Sequence, residues 1–521
     1  MMLRARSWIA SGRNGLWFGM VLFCALVAMG WIGFLASDDV TYANGAYGWI
    51  RDFPFVGGHG TIRYPITIPM ALSFVTFGEN EYAMVLPSLL YMLGVLVLIW
   101  HAVRNVGGTW AATSALGVLA ISPLLVIQSS IASVDIVEMS FLFASVLLFW
   151  RCLDSGPNAR RLFAAGAIAG LAFLTRETAI FVAVFYAILF LIGHRFHRGH
   201  YLWIAAGFLT VWAIEVFYLW AMTGDPFYRI TISLNHDSTI DRTIDVAGNT
   251  VIHPLIDPLL VLLMNQEFMA LFFIAIPVGA WLCFGRSVGQ RTQHFARIMS
   301  LFGITWFLCV AAAQKLLPLN PRYFMITTAV ACMLTGIGFA RLLTSGKTWL
   351  RAMVGGLALL LLGGNFVGIY LENKDSLFGP RQLAAIAAER PDARIVTDPM
   401  TRYRADMLLR WEGARSRVTD RPAAPGDLFF YNPPFADQAN FKMPVDRIPL
   451  FQPRPDAQLL AQYEPRSIHL ARVIESMSLS THLPDGLWKK LRYRHPAVML
   501  YRIAEPKQPN PIAPRDIQST R

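Results

Sequence analysis

The chain has 521 residues, of which 55% are hydrophobic and only 15% charged, against about 25% charged in an ordinary soluble domain. With a mean hydropathy of +0.45, it cannot cover a soluble surface of this size; disordered, collagen-like and coiled-coil classes are excluded and a protein that crosses a membrane many times remains. The net charge of +12, from 45 Lys and Arg against 33 Asp and Glu, is then read as basic residues held on the cytoplasmic side of a bilayer and not as a footprint for nucleic acid.

Apolar runs near 20 residues are the spanning signal, because a roughly 30 Å hydrocarbon core takes about 20 helical residues. They fall at about 16–36, 83–103, 109–127, 134–151, 161–175, 178–193, 201–222, 268–285, 298–314, 322–343 and 350–371. The expectation is about eleven spans, at most about thirteen. The first is preceded by Arg4, Arg6 and Arg13 and is too long for a cleaved signal, so it reads as an anchor. Pro65–Phe77 carries two prolines, is too short to span, and reads as re-entrant or interfacial. The five cysteines lie in or beside apolar runs, and no disulfide framework is expected.

With the N-terminus inside, every second loop is also inside. These segments hold Arg104; Arg151, Arg160 and Arg161; Arg195 and Arg198; Arg286, Arg291 and Arg297; Arg341, Lys347 and Arg351; and one acid, Asp154. The positive-inside rule is obeyed at each, which leaves the C-terminus outside. The outer segments are loops at 37–82 and 223–267 and the tail 372–521. Residues 1–371 are thus expected to form the transmembrane domain and 372–521 a small α/β domain outside the membrane. In the tail, Arg394–Thr397, Asp427–Tyr431 and Ala497–Tyr501 read as strands, Thr401–Trp411 as a helix, and Gln508–Arg521 as frayed.

A charge at membrane depth is costly, so charges at span boundaries are functional candidates. On this topology they gather on the outer side: Asp38 and Asp39 after the first span, Arg63 before the re-entrant stretch, Asp135 and Glu138 at the start of the fourth span, Arg176 and Glu177 between the fifth and sixth, and Lys315 and Arg322 around the loop before the tenth. Asp38-Asp39 begins a stretch with Tyr42, Ala46, Trp49, Ile50 and Phe53 on one stripe, an interfacial helix that one Asp would cap. The second acid is left over, and a carboxylate at an apolar boundary suits a base. Asp135 and Glu138, three apart, share a helix face and read equally as snorkelling acids. The cations could hold a phosphate, pair with the acids or contact headgroups. His59, in Gly-Gly-His-Gly, reads as a solvated loop histidine, and Gly166-Ala-Ile-Ala-Gly170 as a helix-packing motif. There is no zinc motif, P-loop or dinucleotide loop.

In this order the motifs resemble the polytopic GT-C glycosyltransferases, in the protein O-mannosyltransferase-like and lipid A aminoarabinose transferase-like branch. Asp38-Asp39-Val-Thr-Tyr42 is similar to the family's acidic pair followed by Tyr, and Arg63-Tyr64-Pro65-Ile66 to its basic residue before Pro-Pro-Leu. Phe77-Gly78 with Leu86-Pro87-Ser88, Asp135, Gly170 to Arg176, and Arg322-Tyr323 follow in the family's order. Asp39 stands for the commoner Glu, Tyr64 for the first proline, and late prolines after Tyr323 are missing. The resemblance, over roughly residues 16–345, implies a GT-C fold and transfer of a sugar from a polyprenyl-phosphate donor to an acceptor hydroxyl of a glycolipid, glycan or protein at the periplasmic face of a bacterial inner membrane. It implies Asp38 as base, alone or with Asp39, and inversion in one displacement. Asp135, Glu138 and Tyr42 would orient acceptor or sugar, and Arg63, Tyr64, Arg176, Lys315, Arg322 and Tyr323 would bind the donor phosphate. A divalent metal, with Asp135 helping to hold it, is used in some branches only. A transporter or flippase of lipid-linked sugars would place charges near mid-span and show inverted symmetry, and a glycan ligase or polymerase would carry one very long outer loop.

Overall fold

The computed structural model describes residues 14–193, 195–236, 253, 256–313, 317–372, 377–465, 469–492 and 495–504. Arg4, Arg6 and Arg13, Lys315 and the tail Gln508–Arg521 lie outside the described residues. The chain divides into two units, Met1–Asn373 and Lys374–Arg521.

The first unit is helical. Its helices are α1 (Asn14–Met29), α2 (Asp38–Arg51), α3 (Tyr64–Phe77), α4 (Glu81–Ala120), α5 (Pro123–Ser129), α6 (Val134–Ser155), α7 (Ala159–Thr175), α8 (Phe181–Ile192), α9 (Tyr201–Thr223), α10 (Tyr228–His236), α11 (Ile256–Met264), α12 (Leu271–Phe284), α13 (Gln290–Ala312), α14 (Met325–Thr344) and α15 (Thr348–Glu372). All eleven expected spans carry helix. Among the described residues, six segments are long and apolar enough to cross a membrane: α4, α6, α13, α15, and α9 and α14 with the short turns that lead into them. Shorter apolar helices, α1, α3, α8 with the turn before it, and α12, accompany them.

Two departures from the expected spans have local causes. The first run helps form α1 but stops being helical at Met29, because Gly30 and Gly33 follow and Gly33 adopts φ 74°. The extended segment still satisfies its backbone donors. Ile32 N donates to Ser130 Oγ, Gly33 N to Ser130 O, Phe34 N to Glu81 Oε2, and Leu35 and Ser37 N to Asp39. An irregular strand survives in an apolar setting only when paired in this way. Helix α4 covers both the second expected span and much of the third, broken where Gly108 takes φ 82°.

Helix α14 is buried along nearly all its length and packs against α4, α12 and α13. Helices α7 and α9 cross at glycines: a Cβ on Gly166 would stand 1.9 Å from Ile204 O, and one on Gly207 2.0 Å from Phe163 O. Gly166 therefore has the packing role expected of it. The interfacial stretch after Asp39 forms α2, but its buried face is Tyr42, Ala43, Ala46 and Tyr47, while Ile50 and Phe53 are exposed.

The second unit is a small α/β domain. Strands β1 (Ile395–Val396), β2 (Val418–Thr419), β3 (Leu428–Tyr431), β4 (Gln458–Tyr463) and β5 (Val498–Arg502) form one sheet in the order β2-β1-β3-β5-β4. β1 runs parallel to β2 and β3, and β5 antiparallel to β3 and β4. The expected helix appears as Pro399–Trp411, N-capped by Asp398, whose Oδ1 accepts from Thr401 N at 2.8 Å. Val396, Phe429, Met443, Phe451 and Ile503 form its core.

Candidate functional site

The polar residues singled out in the first unit lie at one end of its helix bundle. Asp38 and Asp39 open α2, Arg63 immediately precedes α3, and Asp135 lies in the first turn of α6. Arg176 follows α7, and Arg322 lies in the short turn Pro321–Phe324 before α14.

The two adjacent aspartates differ in kind. Asp39 is 3% exposed and wholly engaged with backbone: Oδ2 accepts from Leu35 N at 2.6 Å, and Oδ1 from Ser37 N at 2.6 Å and Val40 N at 3.1 Å. Burial pushes its carboxyl above the usual range against these three donors. Ser37 makes no side-chain cap, so Asp39 does that work. Asp38 is 53% exposed, with Oδ2 3.3 Å from Arg322 Nη1. Partial burial alone would raise its pKa, but Arg322, Arg63 and Arg176 outweigh it and hold the carboxyl below the usual range. Neighbouring acids whose environments push their pKa values apart are a mark of divided roles.

The arginines are held by the acids and by aromatic faces. Arg176 pairs with Asp135 and stacks 4.5 Å from the Tyr323 ring centre, and Arg322 lies 5.5 Å from the same ring. Arg322 Nε sits 3.9 Å from Asp135 Oδ2 without a hydrogen-bond partner. Arg63 is buried. Its Nη1 donates to Tyr42 Oη at 3.1 Å, its Nη2 lies 3.2 Å from His59 Nε2, and its Nε is unpartnered. Burial pushes the Tyr42 hydroxyl up to about 12. Behind this cluster Glu138 accepts from Thr178 Oγ1 at 2.6 Å, and Asp135, Glu138, Thr178, Trp306, Arg322 and Tyr323 line a small pocket.

The structure gives each candidate specific neighbours. Asp135 and Glu138, read as acceptor-orienting, are buried, Asp135 against Arg176 and Glu138 against Thr178. Tyr42 serves Arg63. Tyr64, read as a phosphate ligand, packs edge-on against Trp49 and Tyr218. His59 is not merely solvated but joined to Arg63. Lys315 lies outside the described residues. Among the described residues no three His, Cys, Asp or Glu side chains gather as a metal site.

Sequence reading missed Arg229. It is 3% exposed; it donates to Glu215 Oε1 at 2.5 and 2.8 Å, to Glu177 Oε1 at 2.9 Å, and to the carbonyls of Ile62 and Leu174. The available signal was Glu215, the single charged residue of α9, since an acid inside an apolar helix demands a cation.

Residues 65–220 match the family model described as dolichyl-phosphate-mannose-protein mannosyltransferase. The match includes Asp135, Glu138 and Arg176 but neither Asp38 nor Arg322. ArnT from Cupriavidus metallidurans in the apo state aligns at 12% identity and a TM-score of 0.55, over 85% of this chain and 95% of ArnT. ArnT bound to undecaprenyl phosphate aligns at the same identity and score, over 94% of this chain and 99% of its own. The chain has an ArnT-like fold, and the second alignment covers nearly the whole chain. No curated protein sequence matches the chain.

Proposed function

We propose that this membrane protein is a glycosyltransferase that moves a sugar from a polyprenyl-phosphate donor to an acceptor hydroxyl with inversion. In this reading it resides in a bacterial inner membrane, with its N-terminus cytoplasmic and residues 372–521 periplasmic. The observation that carries it is Asp38, a half-exposed carboxylate 3.3 Å from Arg322, beside a second guanidinium, Arg63, that has an unpartnered buried N–H. The ArnT-like fold, seen in ArnT with undecaprenyl phosphate bound, supports the donor class.

Asp38 takes the proton of the acceptor hydroxyl. The acceptor oxygen bonds to the anomeric carbon, the bond from that carbon to the phosphate oxygen breaks, and the polyprenyl phosphate leaves with the electron pair. Arg322 and Arg63 meet the charge that develops on it. Asp39 shapes the turn, and Asp135 with Arg176 braces Tyr323 and Arg322. Arg322 can serve either Asp38 or the phosphate. A phosphate that draws it away relieves the charge that lowers the Asp38 pKa, so the base strengthens as the donor arrives. The acceptor is a glycolipid, glycan or protein. Replacing Asp38 with Asn should lower transfer from a polyprenyl-phosphate sugar in membranes by about 100-fold or more. Near-wild-type transfer overturns the assignment.

A further inference from the structure

We propose that His59 is a positioning residue for Arg63, held in one orientation and tautomer by a relay that outer-loop helix α10 carries to it. The inference rests on the transfer reaction proposed above. Arg63 Nη2 lies 3.2 Å from His59 Nε2. A guanidinium can only donate, so Nε2 must accept and the imidazole is neutral with its proton on Nδ1. Nδ1 lies 3.5 Å from Ser233 Oγ, and Ser233 Oγ donates to Glu177 Oε1 at 3.0 Å. Glu177 also accepts from Arg229 Nη1 at 2.9 Å, and Arg229 is tied to Glu215. Every bond in this chain runs donor to acceptor in one direction, from Arg63 through His59 and Ser233 to Glu177.

The relay ties together segments remote in sequence. Ser233 and Arg229 belong to α10, His59 to the loop before α3, Glu177 to the turn before α8, and Glu215 to α9. Arg229 is the buried anchor, and its bond to Ile62 O at 2.9 Å fixes the backbone next to Arg63. With Nη1 on Tyr42 and Nη2 on His59, the Arg63 guanidinium cannot swing, and its buried Nε keeps one unspent N–H for an anion. Among the described residues, the charged and titratable groups shown facing His59 include Arg63 and, through Ser233, Glu177, with Tyr42 beyond the first and Arg229 beyond the second. A protonated imidazole could not accept from Arg63 and would repel it.

The test is binding of undecaprenyl phosphate to the purified full-length protein, without acceptor or turnover, from about pH 8 down to about pH 5. Arg229 itself is a poor probe, because its loss strands Glu215 as a buried charge. His59→Leu should weaken binding about tenfold at the alkaline end, whereas His59→Gln, whose amide oxygen accepts from Arg63 without titrating, should stay within about twofold. Wild type should lose affinity relative to His59→Gln as falling pH protonates the imidazole and removes the acceptor. The inference is overturned if His59→Leu binds as wild type does, if His59→Gln is as weak as His59→Leu, or if wild type and His59→Gln share one pH profile. Absence of binding by wild type at any pH overturns the functional reading and this inference together; the other failures leave that reading standing.

Discussion

Asp38 and Asp39 are chemically identical and adjacent, yet one is a buried bracket for three backbone N–H groups and the other faces solvent and Arg322. The difference is geometric: successive residues on a helix point about 100° apart, so at the start of α2 one carboxylate turns back over residues 35–37 and the other turns outward. The direction of the Asp38 shift has a consequence for the pH profile. A base works above its own pKa, and Arg322 contributes to holding the Asp38 pKa low against burial. Replacing Arg322 with Gln should raise that pKa, so the acid limb of kcat/KM should move to higher pH, with a higher KM for the donor. An acid limb that stays in place in the Arg322→Gln variant shows that Asp38 is not the titrating base.

At the scale of elements, hydropathy located the helices and close packing decided their ends and contacts. Helix α1 ends several residues before its apolar run does, because Gly30 and Gly33 let the chain extend and Ser130 and Glu81 take its donors. That early stop brings Asp38 to the cluster. Helices α7 and α9 approach until Gly166 meets the carbonyl of Ile204. Backbone sits where a Cβ would go, so it cannot be relieved by a rotamer change. Gly166→Ala should cost about 1–3 kcal/mol, read as a lower Tm of the protein in detergent. Gly94→Ala, where nothing lies within 4 Å of the added carbon, is the matched control and should leave Tm unchanged or slightly raised, since Ala is the better helix former.

For the molecule as a whole, the +12 charge is what the expected topology would leave. Fifteen basic residues face one acid in the expected inner segments, and that acid, Asp154, pairs with Arg291 at 2.5 Å, joining the end of α6 to the start of α13. The acids and arginines of the candidate site lie at the other ends of these helices. A thiol-reactive, membrane-impermeant label should therefore reach a cysteine placed at exposed Glu412 in intact spheroplasts, and reach one placed at Lys347 only after permeabilisation; the reverse pattern overturns the orientation. By itself the sequence determined the membrane setting, the helical segments, the α/β tail and most of the polar candidates, because transfer free energy, periodicity and charge bias are local sums along the chain. Only the tertiary structure decided which aspartate is exposed, that Asp135 pairs with Arg176, that His59 meets Arg63 and that Arg229 joins Glu215 to Glu177. Those facts depend on groups 284 residues apart for Arg322 and Asp38 and 174 apart for Ser233 and His59. Partners at that separation leave no periodic trace in the sequence, and only folding brings them within the few ångströms at which a hydrogen bond or an ion pair acts.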